Sequence, residues 1–204
     1  MNPALVTGLV LAGGEGRRMG GLDKGLQDFA GQPLALHALR RLAPQVGRTA
    51  VSANRHLDAY AAFGVPVLPD DEPCLLPPFP GPLGGFLAGL QACETPWLVT
   101  VPCDTPRFPS DLVARLAQAV EASDGEVAVA ATRDGDSLRL QPAFCLMRTG
   151  VKDSLRQYLQ SGERRISRWI AQQRGVEVVF DTPDDFANAN TLDDLDQLRP
   201  HRRP

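Results

Sequence analysis

A chain of 204 residues, 43% hydrophobic and 22% charged, has the length of one ordinary domain and enough apolar surface for a packed core. Its 21 Lys+Arg against 24 Asp+Glu give a net charge of −3, which excludes a protein basic throughout but leaves room for a local grip on phosphate. No apolar run approaches the about 20 residues of a membrane helix, so no transmembrane segment is expected.

Met1-Asn2-Pro3-Ala4 lacks the basic region of a secretory signal, and Val6 to Leu11 reads as a buried strand ending in Gly13-Gly14. A polar, glycine-rich loop runs to Gly25. Pro33 then opens a helix through Val46, with Leu34, Ala38, Leu42 and Leu39, Val46 on one face. Thr49 to Ala53 is predicted as a strand, His56 to Phe63 as a short helix and Val65 to Leu68 as a strand. Prolines at 73, 77, 78, 80 and 82 exclude helix and central strand, so this stretch is expected to be a surface loop. Leu83 to Cys93 returns to helix, Trp97 to Val101 is an apolar strand closed by Pro102, and Pro109 to Val120 is helical. Glu126 to Ala131 and Pro142 to Met147 read as strands. Helices from Val151 and Arg164, a strand at Val176 to Phe180 and a last helix from Thr191 complete the chain. Strands alternating with helices predict a mostly parallel sheet covered on both faces.

Four cysteines, Cys74, Cys93, Cys103 and Cys145, include no C-x-x-C pair, so buried thiols in a reducing cytoplasm are expected and a Cys/His metal cluster is not. Trp97 and Trp169 are expected in the core.

The strongest local feature is residues 11–24, L-A-G-G-E-G-R-R-M-G-G-L-D-K. Five glycines after a buried strand let backbone N–H groups approach an anion, and Arg17, Arg18 and Lys24 add positive charge. That describes a phosphate cradle at the carboxyl end of a parallel strand. The dinucleotide pattern G-x-G-x-x-G fails, because Met19 stands where a glycine is required. The P-loop fails too, since Lys24 lies between Asp23 and Gly25.

Asp104, held between Pro102 and Pro106 at the mouth of an apolar strand, offers a hard oxygen ligand suited to Mg²⁺ on nucleotide phosphates. A turn or helix-capping aspartate is the plainer reading of that residue alone. Asp70-Asp71 is a similar, weaker feature. Asn188 and Asn190 can offer amide groups to a polar ligand, although a helix cap explains Asn190 equally well. Arg164 and Arg165 could bind an anion or simply face solvent.

Taken together these segments resemble the MobA family of molybdenum cofactor guanylyltransferases. The resemblance rests on L-A-G-G-x-x-x-R-M-G-G-x-D-K-G at 11–25, N-R-H at 54–56, P-G-P-L-G-G at 80–85, P-C-D-T-P at 102–106, S-G-E-R-R at 161–165 and N-A-N-T at 188–191. It implies a Rossmann-like α/β three-layer sandwich with a mostly parallel central sheet, one nucleotidyltransferase domain over residues 1–204. The implied reaction transfers GMP from GTP to the terminal phosphate of molybdopterin, with or without molybdenum, and releases pyrophosphate. Carried over by position, Leu11, Ala12, Gly13, Gly14 and Asp70 line the GTP site. Lys24 meets the phosphates, Asp104 holds Mg²⁺, and Arg18 joins Lys24 in stabilising charge. Asn188 and Asn190 fall on the molybdopterin side. Ser52 departs from the family, which often carries asparagine there.

Two competing readings remain: a cytidylyl- or sugar-phosphate nucleotidyltransferase of the same superfamily, and a catalytically silent nucleotide-binding module on the same fold. A cytoplasmic monomer that meets cofactor-biosynthesis or acceptor proteins transiently, and neither nucleic acid nor membrane, is expected.

Overall fold

A computed structural model of the chain describes residues 1–14, 22–70, 81–135, 137–189 and 194. Arg17, Arg18, Asn190, most of the proline-rich loop and all but residue 194 of the helix predicted from Thr191 lie outside them.

Strand β1, Val6–Leu11, has the predicted bounds and is buried along most of its length. A two-residue hairpin follows, β2 (Asp28–Phe29) with β3 (Gln32–Pro33), turning through Ala30 and Gly31 at φ 52° and 84°. Helix α1 is Leu34–Leu42 and passes into a 3-10 turn at Ala43–Gln45. Pro44 lacks the N–H that a continued helix requires, so the α-helix is shorter than the apolar spacing predicts. Strand β4 (Arg48–Ser52), helix α2 (Leu57–Ala61) and strand β5 (Val67–Leu68) come next. Then follow α3 (Pro82–Ala92), β6 (Trp97–Pro102), α4 (Leu112–Ser123), β7 (Val127–Asp134) and β8 (Ser137–Arg148). Helices α5 (Lys152–Gln160) and α6 (Ile166–Gln172) lead to β9, Val176–Phe180, again at the predicted bounds.

Seven of the strands form one sheet in the order β5-β4-β1-β6-β8-β7-β9. Strands β5, β4, β1 and β6 are mutually parallel, β7 is parallel to β9, and β8 alone runs antiparallel to both its neighbours. Residues along each strand alternate between two cores. Val6, Val10, Val99 and Ala128 meet α1 and α4 on one face, while Leu9, Leu98, Val127 and Val129 meet α3, α5 and α6 on the other. Trp97 and Trp169 are both buried. Of the described cysteines, Cys103 and Cys145 are buried, Cys93 is half-buried, and all three are free thiols.

From β1 the chain moves through α1 to β4 on one side, and from β5 it returns through α3 to β6 on the other. The connections therefore diverge between β1 and β6, which opens a crevice at their carboxyl ends. No helix among the described residues is long and apolar enough to cross a membrane.

Four phenylalanines secure the far side of this edge. Phe144 packs against Phe108 (5.9 Å between ring centroids) and Phe186 (5.0 Å), and Phe186 reaches Phe180 (5.2 Å). Phe144→Ala is expected to destabilise the chain by about 3–5 kcal/mol, the cost of an unfilled aromatic cavity, read as a lowered urea midpoint at unchanged slope.

Candidate active site

Pairing in the sheet brings three chain segments out of its carboxyl edge side by side. Leu11 lies opposite Ser52 of β4 and Pro102 of β6. The ladder extends one step further: the Ala12 N–H donates to the Ser52 carbonyl (2.8 Å), and the Cys103 N–H to the Leu11 carbonyl (3.1 Å). Leu11 and Gly13 are half-buried, Ala12 is buried and Gly14 is exposed, so the predicted nucleotide segment climbs from the core into the crevice. Ser52 is buried beneath the start of α3. A Cβ on Gly85 would stand 2.6 Å from its hydroxyl, so this glycine permits the close approach of helix and strand end.

Across the crevice, Lys24 Nζ donates to Asp104 Oδ2 at 2.6 Å, and each side chain is 20% exposed. The two lie eighty positions apart in sequence. Lys24 opens a 3-10 turn, Lys24–Leu26, and Asp104 immediately follows Cys103 beyond β6. Burial pushes the Cys103 thiol up, with the Asp104 charge adding to the effect, so it stays a neutral thiol beside the carboxylate.

Asp70 joins the same edge from beyond β5. Asn54 Nδ2 donates to Asp70 Oδ2 (2.9 Å), and the Asp70 N–H donates back to Asn54 Oδ1 (2.7 Å). Arg55 donates to the Gly14 carbonyl at 3.2 Å, tying the β4–α2 connection to the predicted nucleotide segment. On the opposite flank the Thr105 hydroxyl donates to Asn188 Oδ1 (2.6 Å) and lies 3.3 Å from Asp104 Oδ1. The Ala189 N–H donates to the Asp104 carbonyl at 2.8 Å. Asn188 therefore borders the Asp104 corner. Beside it a cavity of about 410 Å³ is lined by Thr132, Arg133, Arg139, Gln141 and Asn188 among others.

Of the residues predicted for the site, Leu11, Ala12, Gly13, Gly14, Lys24, Asp70, Asp104 and Asn188 share this edge, while Arg18 and Asn190 lie outside the described residues. Arg164, by contrast, donates to the carbonyls of Leu159 (3.3 Å) and Glu163 (2.8 Å), where it caps the end of α5. Sequence reasoning missed Asp23, Tyr60 and Thr105. Asp23 and Thr105 stand beside residues that were singled out; Tyr60 has no local signal, because its partner is thirty-seven positions away.

A family model described as the MobA-like NTP transferase domain matches residues 8–178. The chain belongs to this family. Among curated members, the molybdenum cofactor guanylyltransferase of Bordetella petrii is 58% identical over 193 residues, covering 95% of this chain and 96% of that one. That of Methylibium petroleiphilum is 56% identical over 201 residues, 97% of each chain. Solved structures share the fold at lower identity. Molybdopterin-guanine dinucleotide biosynthesis protein A from Archaeoglobus fulgidus superposes with a TM-score of 0.71 at 20% identity, over 94% of this chain and 95% of that one. The 4-diphosphocytidyl-2C-methyl-D-erythritol synthase of Anaerococcus prevotii gives 0.74 at 11%, over 96% and 97%.

Within this family member, Asp70 makes a clear prediction. Burial pushes its carboxyl up, against the lowering effect of the Asn54 hydrogen bond. A raised carboxyl pKa means that ionisation disfavours the folded chain, so stability is lost as pH rises through the folded value. Asp70→Asn is expected to raise the thermal midpoint at pH 7 by about 1–2 °C, a fraction of a kcal/mol at this chain length. The difference should fade as pH falls toward about 4, where the unfolded carboxyl also takes up its proton.

Proposed function

We infer that this chain transfers GMP from GTP to the terminal phosphate of molybdopterin, forming the guanine dinucleotide cofactor and pyrophosphate. The observation that carries the mechanism is the Lys24–Asp104 contact at the switch point of the sheet, one cation and one carboxylate held 2.6 Å apart. Identity above one half to molybdenum cofactor guanylyltransferases over nearly the whole chain supports guanine and molybdopterin as the substrates. The single sheet, built from strands between Val6 and Phe180, supports one nucleotidyltransferase domain.

Among the described residues no three His, Cys, Asp or Glu side chains converge as a metal cage. Asp104 fits a different arrangement, one hard carboxylate shared with nucleotide phosphates and water, which is how Mg²⁺ ordinarily binds a nucleotide. Bound there, Mg²⁺ would neutralise charge on the phosphates.

The residues then have separate tasks. Leu11, Ala12, Gly13 and Gly14 carry the backbone along the crevice against the nucleotide. Asp70, braced by Asn54, lines its far side. Lys24 offers its ammonium to the phosphates, where charge grows as the α–β bond breaks, and Arg18 belongs to the same cationic loop. The acceptor is already a phosphate anion, so its oxygen attacks the α-phosphorus without a general base. Work remains only in positioning two anions and stabilising the departing pyrophosphate. The cavity beside Asn188 suits the acceptor: Arg133 and Arg139 offer charge, Gln141 and Asn188 offer amides, and it adjoins the Asp104 corner. Asn190 is assigned to the same substrate by the family resemblance of N-A-N-T at 188–191. We also propose a cytoplasmic monomer that meets delivery proteins transiently.

Pyrophosphate release from GTP with Mg²⁺ and molybdopterin, run beside CTP and ATP, tests the reading. Release with GTP alone is expected; release with CTP alone overturns the base assignment. Asp104→Ala is expected to abolish transfer with the circular dichroism spectrum preserved, and near-normal turnover would remove the metal ligand. Lys24→Ala should lower the rate by about 10²-fold or more, the scale of losing one preorganised charge contact.

A further inference from the structure

Asp23, next to Lys24 in sequence, has no part in the transfer step just described, yet it is only 6% exposed. A buried carboxylate needs partners to offset its lost hydration. The Tyr60 hydroxyl donates to Asp23 Oδ1 at 2.6 Å, the Gly25 N–H donates to the same oxygen at 3.1 Å, and His56 Nδ1 lies 3.0 Å from Oδ2. Its backbone carbonyl accepts from the Leu26 N–H (3.3 Å) and from Gln27 Nε2 (2.9 Å). One residue thus ties the Lys24–Leu26 turn to the β4–α2 connection and to α2.

The fit is tight from each direction. Tyr60 is fully buried, and burial first, then the bond to Asp23, pushes its hydroxyl up, so it remains a donor. A Cβ on Gly25 would run into that hydroxyl. His56 holds a left-handed backbone at φ 50°, uncommon outside glycine although histidine and asparagine are enriched there.

We propose that Asp23 is a positioning residue for transfer: Tyr60 and His56 lock its carboxylate, and the locked carboxylate fixes the turn from which Lys24 reaches Asp104 and the nucleotide phosphates. A lysine side chain has four rotatable carbons, so its ammonium is placed only as well as its backbone is held. A displacement of about 1 Å at such a group costs on the order of 10²-fold in rate. The proposal rests on the role given to Lys24 above, but part of its test does not.

Lys24 and Lys152 are the only lysines of the sequence. With lysine labelled at Cε and Nζ, the full chain gives two side-chain NMR signals, and Lys152→Arg leaves that of Lys24 alone. Asp104→Asn identifies the signal of the broken ion pair. Without substrate, Tyr60→Phe and Asp23→Ala are expected to move the Lys24 signal toward that position. Asp23→Asn, which keeps an oxygen for the Tyr60 hydroxyl and the Gly25 amide but sets an NH2 against His56 Nδ1, should move it less than Asp23→Ala does. A signal unmoved in both Tyr60→Phe and Asp23→Ala overturns the proposal, whatever reaction the chain catalyses.

The kinetic arm separates positioning from packing. Tyr60→Phe should lower kcat for GMP transfer by about 10- to 100-fold in the parent but less than about twofold in a Lys24→Ala background, where nothing is left to position. Equal losses in both backgrounds would make Tyr60 a packing residue and overturn the proposal. Should Tyr60→Phe fail to fold, His56→Asn carries the test, since His56 is half exposed and asparagine tolerates the left-handed backbone. There a displaced Lys24 signal and an about fivefold loss of kcat are expected, the scale of one hydrogen bond; no change in either overturns the proposal.

Discussion

The arrangement of the whole carboxyl edge depends on the register of β1 between β4 and β6. Leu11 sits opposite Ser52 on one side and Pro102 on the other, and two further backbone bonds carry the pairing past the strand ends. Three chain segments therefore emerge at one level. A slip of one residue would turn Leu9 and Val10 to opposite faces and strip both cores of their strand side chains. Burial on two faces thus fixes the level at which Lys24 and Asp104 can meet.

Their ion pair is poorly suited to being a stabilising device. Partly exposed pairs contribute little after solvent screening and side-chain ordering, and the exposed Arg48–Glu94 pair shows how such contacts also arise away from the crevice. What distinguishes Lys24–Asp104 is its place at the divergence of the sheet connections, where the proposed reaction would bring an incoming phosphate to the ammonium and a metal to the carboxylate. Asp23 complements this logic. It spends a buried carboxylate on orientation, with both oxygens engaged, directly beside a side chain whose reach depends on its backbone.

The other half of the edge is organised by aromatic packing. Phe186 is wedged between Phe144 and Phe180, two residues before Asn188, while the Ala189 N–H bonds to the Asp104 carbonyl. The segment carrying Asn188 is thus held at both ends against the core. The adjacent cavity uses the exposed start of β8 and the end of β7, whose antiparallel hairpin reaches the carboxyl edge.

Much was legible in one dimension. Runs of β-branched and apolar residues bounded by polar or glycine-rich turns located Val6–Leu11 and Val176–Phe180 at their observed ends: β1 is buried in the middle of the sheet, and β9 keeps its valines and Phe180 against the core although the edge leaves Glu177 exposed. Strand β8 was predicted only over its last residues; its first ones face solvent, and the apolar signal begins where the strand enters the core. The hairpin at 28–33 went unread because two-residue strands carry no periodicity. Local chemistry also picked out the glycine-rich loop and Asp104, since each follows the abrupt end of an apolar strand, and Lys24 as a cation of that loop. By itself the sequence determined the alternation of strands and helices, the family and the chemical types at the site. Only the tertiary structure decided the antiparallel course of β8, the pairing of Lys24 with Asp104 and the burial of Asp23 under Tyr60. Each of these depends on groups tens of residues apart, and only the packing of a two-faced sheet sets such distances.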